Sequence, residues 1–407
     1  MRWSLAQRIT FRFLFSYFAL FFLSDLGHGF LPVGERAVRA YHELWLPAVL
    51  WADEHVLRLG YEITLEAPGV NNTAYGWILC LCYLAVAAVV AAVWSLLDRK
   101  RAHYERLHAW FRLELRFLLA LPMISYGMIK LIPSQMVAPP PPGVLLMRVG
   151  DLHPYHLLWW FVGTSPAYES FTGFAELLGG LLLLFPPAVL LGALVSAGDM
   201  LTVFVLNLCY DVSVKLLSFH LLVMSLILIA PHLRRLAGVL IFNRRVEPAM
   251  SAHVPLLSGR TWLRQAPHVL LALFGLLMLV RSYGTARERY AARHPPEPPL
   301  YGVWSVEEVV SDGKVMPLFT DPDRWRWVLV QRPGSMRVET MTGRNLGYKV
   351  DIDPEARTVK LSEPKGSRAE LTYSLPDPDL LLLDGRIDGR RTQARLRKAA
   401  LLRGPGG

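Results

Sequence analysis

Residues 210–230 read YDVSVKLLSFHLLVMSLILIA, an apolar stretch long enough to cross a lipid bilayer. It nevertheless carries Lys215 and His220, and Asp211 lies just before the apolar run. A charged side chain near the centre of a bilayer costs about 3 kcal/mol or more. These side chains therefore either face other helices of a bundle or extend to the membrane surface. Both arrangements predict a membrane-spanning helix.

The composition of the whole chain also indicates an integral membrane protein. Of its 407 residues, 53% are hydrophobic and 19% are charged, whereas soluble domains carry about 25% charged residues. The net charge of +10 does not indicate a nucleic-acid partner, because Lys and Arg concentrate in loops that remain cytoplasmic. We predict seven membrane spans, at residues 9–26, 74–97, 113–132, 167–185, 188–208, 212–230 and 266–281.

Basic residues predict the orientation of these spans. They cluster before the first span, in DRKRAHYER at residues 98–106, and between the sixth and seventh spans. All three segments fall on one side of the membrane, and this side should be the cytoplasm. We therefore expect a bacterial cytoplasmic membrane protein with its N-terminus inside and its C-terminal domain outside. Residues 41–59 are expected to form an amphipathic helix on the outer interface.

Polar residues inside the predicted spans point to a shared interior. Glu176 lies near the middle of the fourth span and Asp199 near the middle of the fifth, and Lys130 follows Tyr126 by one turn on the third. Small residues flank both carboxylates, which is typical of helices that approach closely. We expect spans three to six to converge on these groups. Glu169, nearer the outer surface, is expected to stay hydrated.

The sixth span presents Lys215 and Asp211 on one face, with His220 pointing away from it. Lys215 is expected to pair with Asp199, or failing that with Glu176, inside the bundle. The alternative is that Lys215 extends its ammonium group to the outer interface while Asp211 caps the helix.

Three stretches resemble elements of DoxX-like membrane proteins. They are YGMIKLIPSQ at residues 126–135, GFAELLGGLLLLF at 173–185, and YDVSVKLLSFHLL with the following APHLRRL. The resemblance covers about residues 113–245 and implies a four-helix membrane bundle. One branch of this family includes the membrane subunit of a thiosulfate:quinone oxidoreductase. The resemblance therefore implies a quinone or another membrane lipid as ligand, and a possible partner subunit.

The chain carries no recognisable catalytic motif of its own. Cys80 and Cys82 are two residues apart on a predicted helix and point to nearly opposite sides, and Cys209 lies on another span. Nucleotide-binding, zinc and haem-attachment motifs are lacking, and we expect no metal site. If the protein is an enzyme, we expect the quinone-linked component of an oxidoreductase, with quinone as the possible cofactor.

The C-terminal residues 298–407 have the period-two alternation of β-strands. Eight short strands separated by turn residues predict a small up-and-down barrel or a sandwich. Gly302 and Trp304 on the first strand resemble the lipocalin Gly-x-Trp signature, and the resemblance implies that Arg395 or Arg397 on the last strand stacks over Trp304. Two alternatives stay open, a ligand cup and an interior packed by side chains.

The predicted fold class is multi-domain: an all-α polytopic membrane bundle followed by a small all-β domain. We divide the chain into an N-terminal hairpin (1–112), the DoxX-like bundle (113–245), a cytoplasmic segment with the seventh span and a proline-rich linker (246–297), and the β domain (298–407). The expected function is binding of a lipophilic molecule, a quinone or a lipid. The alternatives are a scaffold that presents the barrel to a ligand or partner protein and, less favoured, a transporter.

The predicted topology is testable with reporter fusions. A reporter joined after Gly407 should be active outside the cytoplasm, because seven spans place the C-terminal domain opposite the basic inner segments. A reporter joined within residues 98–106 serves as the cytoplasmic control. A Gly407 fusion that is active only in the cytoplasm would overturn the count of seven spans.

Overall fold

The computed structural model describes most of the chain and divides it into two compact units. The first comprises Met1–Gln135 and Ala167–Glu288, and the second Met136–Pro166 and Arg289–Gly407. The described residues are 3–25, 35–60, 62–65, 72–136, 143–144, 146–247, 261–294, 296–317, 321–362, 368–387 and 389–399.

The first unit is helical, and the second adds one short helix to a barrel of strands. Among the described residues the α-helices are α1 (Leu5–Asp25), α2 (Glu35–Ala52), α3 (Ala74–Leu97), α4 (Glu105–Leu131), α5 (Pro154–Gly163), α6 (Pro166–Leu184), α7 (Val189–Cys209), α8 (Lys215–Ile229), α9 (Leu233–Leu240) and α10 (Thr261–Arg293). A π-helical turn, Asp53–Leu57, extends α2. The short 3-10 turns Pro186–Ala188 and Ala230–His232 precede α7 and α9.

Local sequence explains several helix boundaries. The side chain of Thr73 accepts a hydrogen bond from the amide of Gly76, 3.2 Å away, and so caps the start of α3. Pro154 occupies the first turn of α5, where its missing N–H has no helical partner to lose. Pro186 follows the end of α6 because the residue before a proline is disfavoured in the helical region.

Four helical segments in the described part of the chain are long and apolar enough to cross a membrane, judged by length and composition. They are Ala74–Leu97, Pro186–Cys209, Lys215–Leu240 and Gln265–Arg293. All seven predicted spans coincide with helices, but α1, α4 and α6 are not among these four. The count of seven spans therefore stays a prediction. The helix expected at residues 41–59 begins earlier, at Glu35.

A buried arginine joins three segments of the helical unit. Arg12 of α1 is 1% exposed, and its guanidinium group donates to the Tyr104 hydroxyl, to Ser95 Oγ and to the Asp98 carbonyl at 2.7–3.0 Å. Burying a cation is costly unless its donors find acceptors. These bonds meet that requirement and fix α1 against the end of α3 and the residue before α4.

The second unit contains a closed barrel, which settles the choice between barrel and sandwich. Its strands are β1 (Gly302–Ser311), β2 (Lys314–Val315), β3 (Trp325–Arg332), β4 (Ser335–Thr340), β5 (Asn345–Asp353), β6 (Thr358–Ser362), β7 (Arg368–Asp377), β8 (Leu380–Ile387) and β9 (Arg390–Lys398). From β3 to β9 each strand pairs antiparallel with the next, and β1 pairs with both β3 and β9. In the described residues, β1 and β3–β9 therefore form an eight-stranded barrel, as predicted.

The two-residue strand β2 folds back on β1 through a tight turn. Asp312 and Gly313 form this turn, and both have positive φ, 49° and 76°. Two successive residues of this conformation make the hairpin turn whose twist matches that of the flanking strands. Asp312 also binds β9, because its carboxylate accepts a hydrogen bond from the Arg391 amide at 3.0 Å.

The interior of the barrel is filled by apolar side chains. Trp304 is 2% exposed, and its indole N–H donates to the Leu300 carbonyl at 2.8 Å. It packs in one contiguous cluster with Val306, Val338, Leu371, Leu396 and other inward residues. An eight-stranded barrel is just wide enough for its side chains to fill the centre. The packed interior is therefore the alternative that the structure supports.

The cation beside Trp304 differs from the expected one. Lys398 Nζ lies 5.8 Å from the centre of the Trp304 ring, whereas Arg395 and Arg397 both bind Glu307 on the outer surface, at 3.1 and 2.6 Å. The expected stacking of Arg395 or Arg397 on Trp304 is therefore wrong. Strand alternation explains the difference, since Leu396 points inward and its two neighbours point outward. The hydrogen bond from Arg397 lowers the pKa of Glu307 below its usual value.

We expect residues 298–407 to fold when expressed alone, because their core is self-contained. In that fragment, Leu396→Ala should lower the free energy of unfolding by about 2–5 kcal/mol, since Leu396 is fully buried. The half-exposed Leu375 is the matched control, and Leu375→Ala should cost less than about 0.5 kcal/mol. Urea unfolding measures both values, and equal costs would contradict a packed interior.

Candidate functional site

The candidate site forms where α4 and α6 cross at two glycines. A Cβ atom added to Gly127 would lie 2.5 Å from the Leu177 amide nitrogen and 2.9 Å from the Gly173 carbonyl oxygen. A Cβ added to Gly173 would lie 2.6 Å from the Gly127 carbonyl oxygen. No real side chain fits at such distances, so only glycine allows these backbones to touch.

This crossing brings a lysine and a glutamate together. Lys130 lies one turn after Gly127, Glu176 one turn after Gly173, and the Lys130 ammonium group forms an ion pair with Glu176 Oε1. The side chains are 10% and 2% exposed. A buried ion pair of this kind is costly to break, because removing one partner leaves an uncompensated charge. The predicted meeting of Lys130 with a carboxylate is confirmed.

A third charged group, Asp199 of α7, joins the pair and lies within electrostatic range of both Lys130 and Glu176. Small residues allow α7 to approach, since a Cβ on Gly179 would lie only 2.7 Å from Ser196 Oγ. We call Lys130, Glu176 and Asp199 the charged triad. It contains two carboxylates and one ammonium group, so one negative charge is uncompensated when all three are ionised.

The triad has unused hydrogen-bond acceptors. Glu176 Oε2, Asp199 Oδ2 and Ser196 Oγ are buried, and none has a hydrogen-bond partner among the described residues. Most buried polar atoms in proteins are hydrogen-bonded, so three unpartnered atoms in one place need an explanation. A bound group that donates hydrogen bonds would supply the missing partners. Tyr126, one turn before Lys130, is half-buried and packs against the apolar core beside the triad.

Lys215 is not part of this site. Its ammonium group pairs with Asp211, four residues earlier, whose side chain is 63% exposed. The expected pairing of Lys215 with Asp199 or Glu176 is therefore wrong. Asp211 has a positive φ of 52°, which directs the chain into the turn before α8. Helical spacing grouped Asp211 with Lys215 but did not reveal that the two bind each other.

His220 lies away from the triad, as its helical position indicated. Its Nε2 atom is 2.6 Å from the Tyr17 hydroxyl, and its Nδ1 atom is 2.6 Å from the Leu216 carbonyl oxygen. The imidazole stacks on Phe21 of α1 with ring centres 4.3 Å apart. This arrangement is that of a satisfied histidine between two helices.

Glu169 differs from its expected hydrated state. It is fully buried, and its carboxylate accepts a hydrogen bond from the backbone amide of Gln135 at 2.9 Å. Ser170 binds the Leu131 carbonyl at 2.9 Å in the same region. Together these bonds hold the start of α6 against the end of α4. Glu169 is therefore a structural neighbour of the triad.

Sequence reasoning missed Arg116 of α4. Arg116 is 5% exposed, and it donates to the carbonyls of Leu183 and Leu184 at 2.9 and 3.2 Å. It thus satisfies the final carbonyls of α6, which have no partner within their helix. A charged residue within the apolar run of α4 was the sequence signal that could have identified Arg116 as a buried side chain with specific partners.

The cysteines and the metal-binding side chains form no site in the described chain. Cys80 is buried, Cys82 is half-buried and Cys209 is exposed, and all three are free thiols. Across the described residues, no group of three or more His, Cys, Asp or Glu side chains is placed to hold a metal ion.

The charged triad predicts unequal effects of removing its two paired members. Lys130→Met should destabilise the protein by about 3–5 kcal/mol, because it leaves two carboxylates without a cation. Glu176→Gln should cost less, since Asp199 still faces Lys130. Adding Asp199→Asn to Lys130→Met should restore part of the loss. Thermal unfolding in detergent measures all four proteins.

Lys215→Met is the control for this series, because the partner of Lys215 is mostly exposed. Its cost should be below about 1 kcal/mol. Equal costs for Lys130→Met and Lys215→Met would show that the triad carries no special electrostatic energy.

Comparison with known proteins gives one relative. No protein-family model matches the chain, and no solved structure matches it. The "Uncharacterized protein YwoB" of Bacillus subtilis (strain 168) is 33% identical over 139 residues, which are 34% of this chain and 85% of the relative. On this identity and coverage, the chain belongs to the same family as YwoB.

Proposed function

We propose that this protein is an integral membrane protein that binds a lipophilic small molecule, a quinone or a lipid, at the charged triad. The observation that carries the proposal is the set of unpartnered acceptors, Glu176 Oε2 and Asp199 Oδ2, beside the Lys130 ammonium group. Binding sites for small molecules combine an apolar lining with a few convergent polar groups. The triad supplies those polar groups within a helical bundle.

The chemistry of the triad suits a ligand with hydroxyl groups. A quinol hydroxyl would donate to an unpartnered carboxylate oxygen, and a quinone carbonyl would accept from Lys130. The two carboxylates in this position would accept the two protons released when a bound quinol is oxidised to the quinone, while the two electrons pass to a redox-active partner subunit. This chain would then be the quinone-binding component of an oxidoreductase.

The DoxX-like resemblance supports this proposal at specific residues. Its Gly-x-x-Lys-Leu element contains Gly127 and Lys130, and its glutamate-containing element contains Gly173 and Glu176. These are the residues that meet at the crossing of α4 and α6. Two stretches that are separate in the sequence thus contribute to a single site.

The proposed location is a bacterial cytoplasmic membrane, with the barrel outside. The four long apolar segments support membrane insertion. The contacts between α4 and α6 support their assignment to consecutive spans, because Arg116 near the middle of α4 binds the last carbonyls of α6 while Gly127, nearer the end of α4, touches Gly173 nearer the start of α6. Antiparallel helices that cross the membrane in opposite directions have their ends arranged in this way.

A scaffold is the second candidate function, and the barrel supports it. Because apolar side chains fill the barrel, a partner would bind its outer face. A groove of about 510 Å³ crosses that face and is lined by Glu308, Thr372, Asp384, Gln393 and Arg395, among others. In this alternative the helices anchor the barrel, and a partner protein binds the groove.

The proposed function predicts that a lipophilic ligand copurifies with the protein. Mass spectrometry of the detergent-solubilised chain should detect a quinone or lipid, and Asp199→Asn or Glu176→Gln should reduce its amount. In titration with a short-chain benzoquinol, Asp199→Asn should weaken binding at least about tenfold, the loss expected for a hydrogen bond to a charged group.

Asp211→Asn is the matched control, since it makes the same chemical change at an exposed position. Its affinity for the quinol should equal that of the parent. If Asp199→Asn and Asp211→Asn bind the quinol equally, and the extracts of both contain the same lipids, the triad is not the binding site.

A further inference from the structure

Two close contacts fix the register between α6 and α7. A Cβ atom added to Gly192 of α7 would lie 2.9 Å from the Leu183 amide nitrogen of α6. One turn further along α7, Ser196 Oγ would lie 2.7 Å from a Cβ atom added to Gly179. The contact position moves forward on α7 while it moves back on α6, so the two helices run antiparallel.

Continuing this register by one turn brings two carboxylates opposite each other. Asp199 follows Ser196 by three residues, and Glu176 precedes Gly179 by three residues. Residues three or four apart lie on the same face of a helix. Asp199 and Glu176 therefore lie on the faces that α7 and α6 turn toward each other. We call Glu176 and Asp199 the carboxylate pair.

The carboxylate pair has one bound cation and two unused oxygens. The Lys130 ammonium group forms its ion pair with Glu176 Oε1. Glu176 Oε2 and Asp199 Oδ2 are buried, and neither has a hydrogen-bond partner among the described residues. Lys215, the lysine of α8, is paired with Asp211. One ammonium group thus faces two carboxylates, and a neutral site requires one more positive charge.

A proton supplies that charge and also satisfies both oxygens. Two neighbouring carboxylates away from water do not both ionise readily, because like charges repel and neither group is hydrated. One proton between them removes the repulsion and turns one acceptor into a hydrogen-bond donor for the other. Aspartic proteases hold a single proton between two carboxyl groups for the same reason. A metal ion fits less well, since the described chain groups no three His, Cys, Asp or Glu side chains as ligands.

We propose that Glu176 and Asp199 share one proton at neutral pH, so that the charged triad carries no net charge. This proposal goes beyond ligand binding, because the shared proton is present in the protein without ligand. One consequence rests on the proposed function. A quinol hydroxyl bound here takes the place of the shared proton, which leaves to the solvent, and both carboxylates can then accept protons.

Infrared spectroscopy of the full-length protein without ligand tests the proposal. The C=O stretch of a protonated carboxyl group is separate from the bands of carboxylates. The parent is labelled with carbon-13 at the side-chain carboxyl of aspartate and measured in detergent at neutral pH. The label should shift a protonated-carboxyl band, since Asp199 shares the proton. This measurement needs no substitution, and it does not depend on whether the protein binds a quinol.

Two substitutions distinguish a shared proton from one that belongs to Asp199 alone. Asp199→Asn should remove the label-sensitive band. Glu176→Gln should remove it as well, because Asp199 then faces Lys130 without a competing carboxylate and ionises. Asp211→Asn is the matched control, since it makes the same chemical change at a mostly exposed side chain. Its label-sensitive band should equal that of the parent.

Lys130→Met tests the charge balance from the other direction. Without the ammonium group, a neutral site requires a proton on each carboxyl group. The label-sensitive band should therefore persist in Lys130→Met, and the total area of the protonated-carboxyl bands should rise by one further carboxyl group. An unchanged area would contradict the charge balance.

Other results would also overturn the proposal. The absence of a label-sensitive band in the parent would show that both carboxylates are ionised. Persistence of the band in Glu176→Gln would show that burial alone protonates Asp199, and its loss in Asp211→Asn would assign it to an aspartate outside the pair. Circular dichroism checks that each variant is folded, and the labelled parent decides the matter if one is not. A parent that shows the band but binds no quinol would contradict the proposed function and leave the shared proton established.

Discussion

The close contact between α4 and α6 is the constraint on which the rest of the helical unit depends. Gly127 and Gly173 let the two backbones touch, and each glycine precedes a charged residue by one turn. The contact therefore also sets the position of Lys130 against Glu176. The burial of Glu169 and the binding of the α6 carbonyls by Arg116 hold the two ends of the same helix pair.

The sequence predicted the barrel well because strand alternation is a local signal. Each strand of the barrel places apolar residues on one face, and turn residues separate the strands. The error at Arg395 and Arg397 arose from following the lipocalin resemblance instead of the alternation. Leu396 is inward, so its neighbours are outward, and Lys398 is the basic residue on the inner face.

The helical unit was predicted less completely, because helical periodicity identifies faces but not partners. It grouped Lys130, Glu176 and Asp199 as residues of inward faces, and the structure places them together. It did not predict that Lys215 binds Asp211, that Glu169 is buried or that Arg116 binds α6. These features depend on where helix ends meet, and that information lies in tertiary contacts between segments far apart in the sequence.

The pairing of β1 with β9 has a consequence for the order of events during synthesis. The first strand of the barrel completes its hydrogen bonds only when β9 is present, so the barrel stays open until β9 has left the ribosome. Contacts of such long sequence separation slow folding. A chain cut short before Arg390 would retain all the helices that the structure describes but expose the edges of β1 and β8, and unpaired edges promote aggregation. Complete synthesis of the nine residues of strand β9 thus decides whether the whole barrel closes.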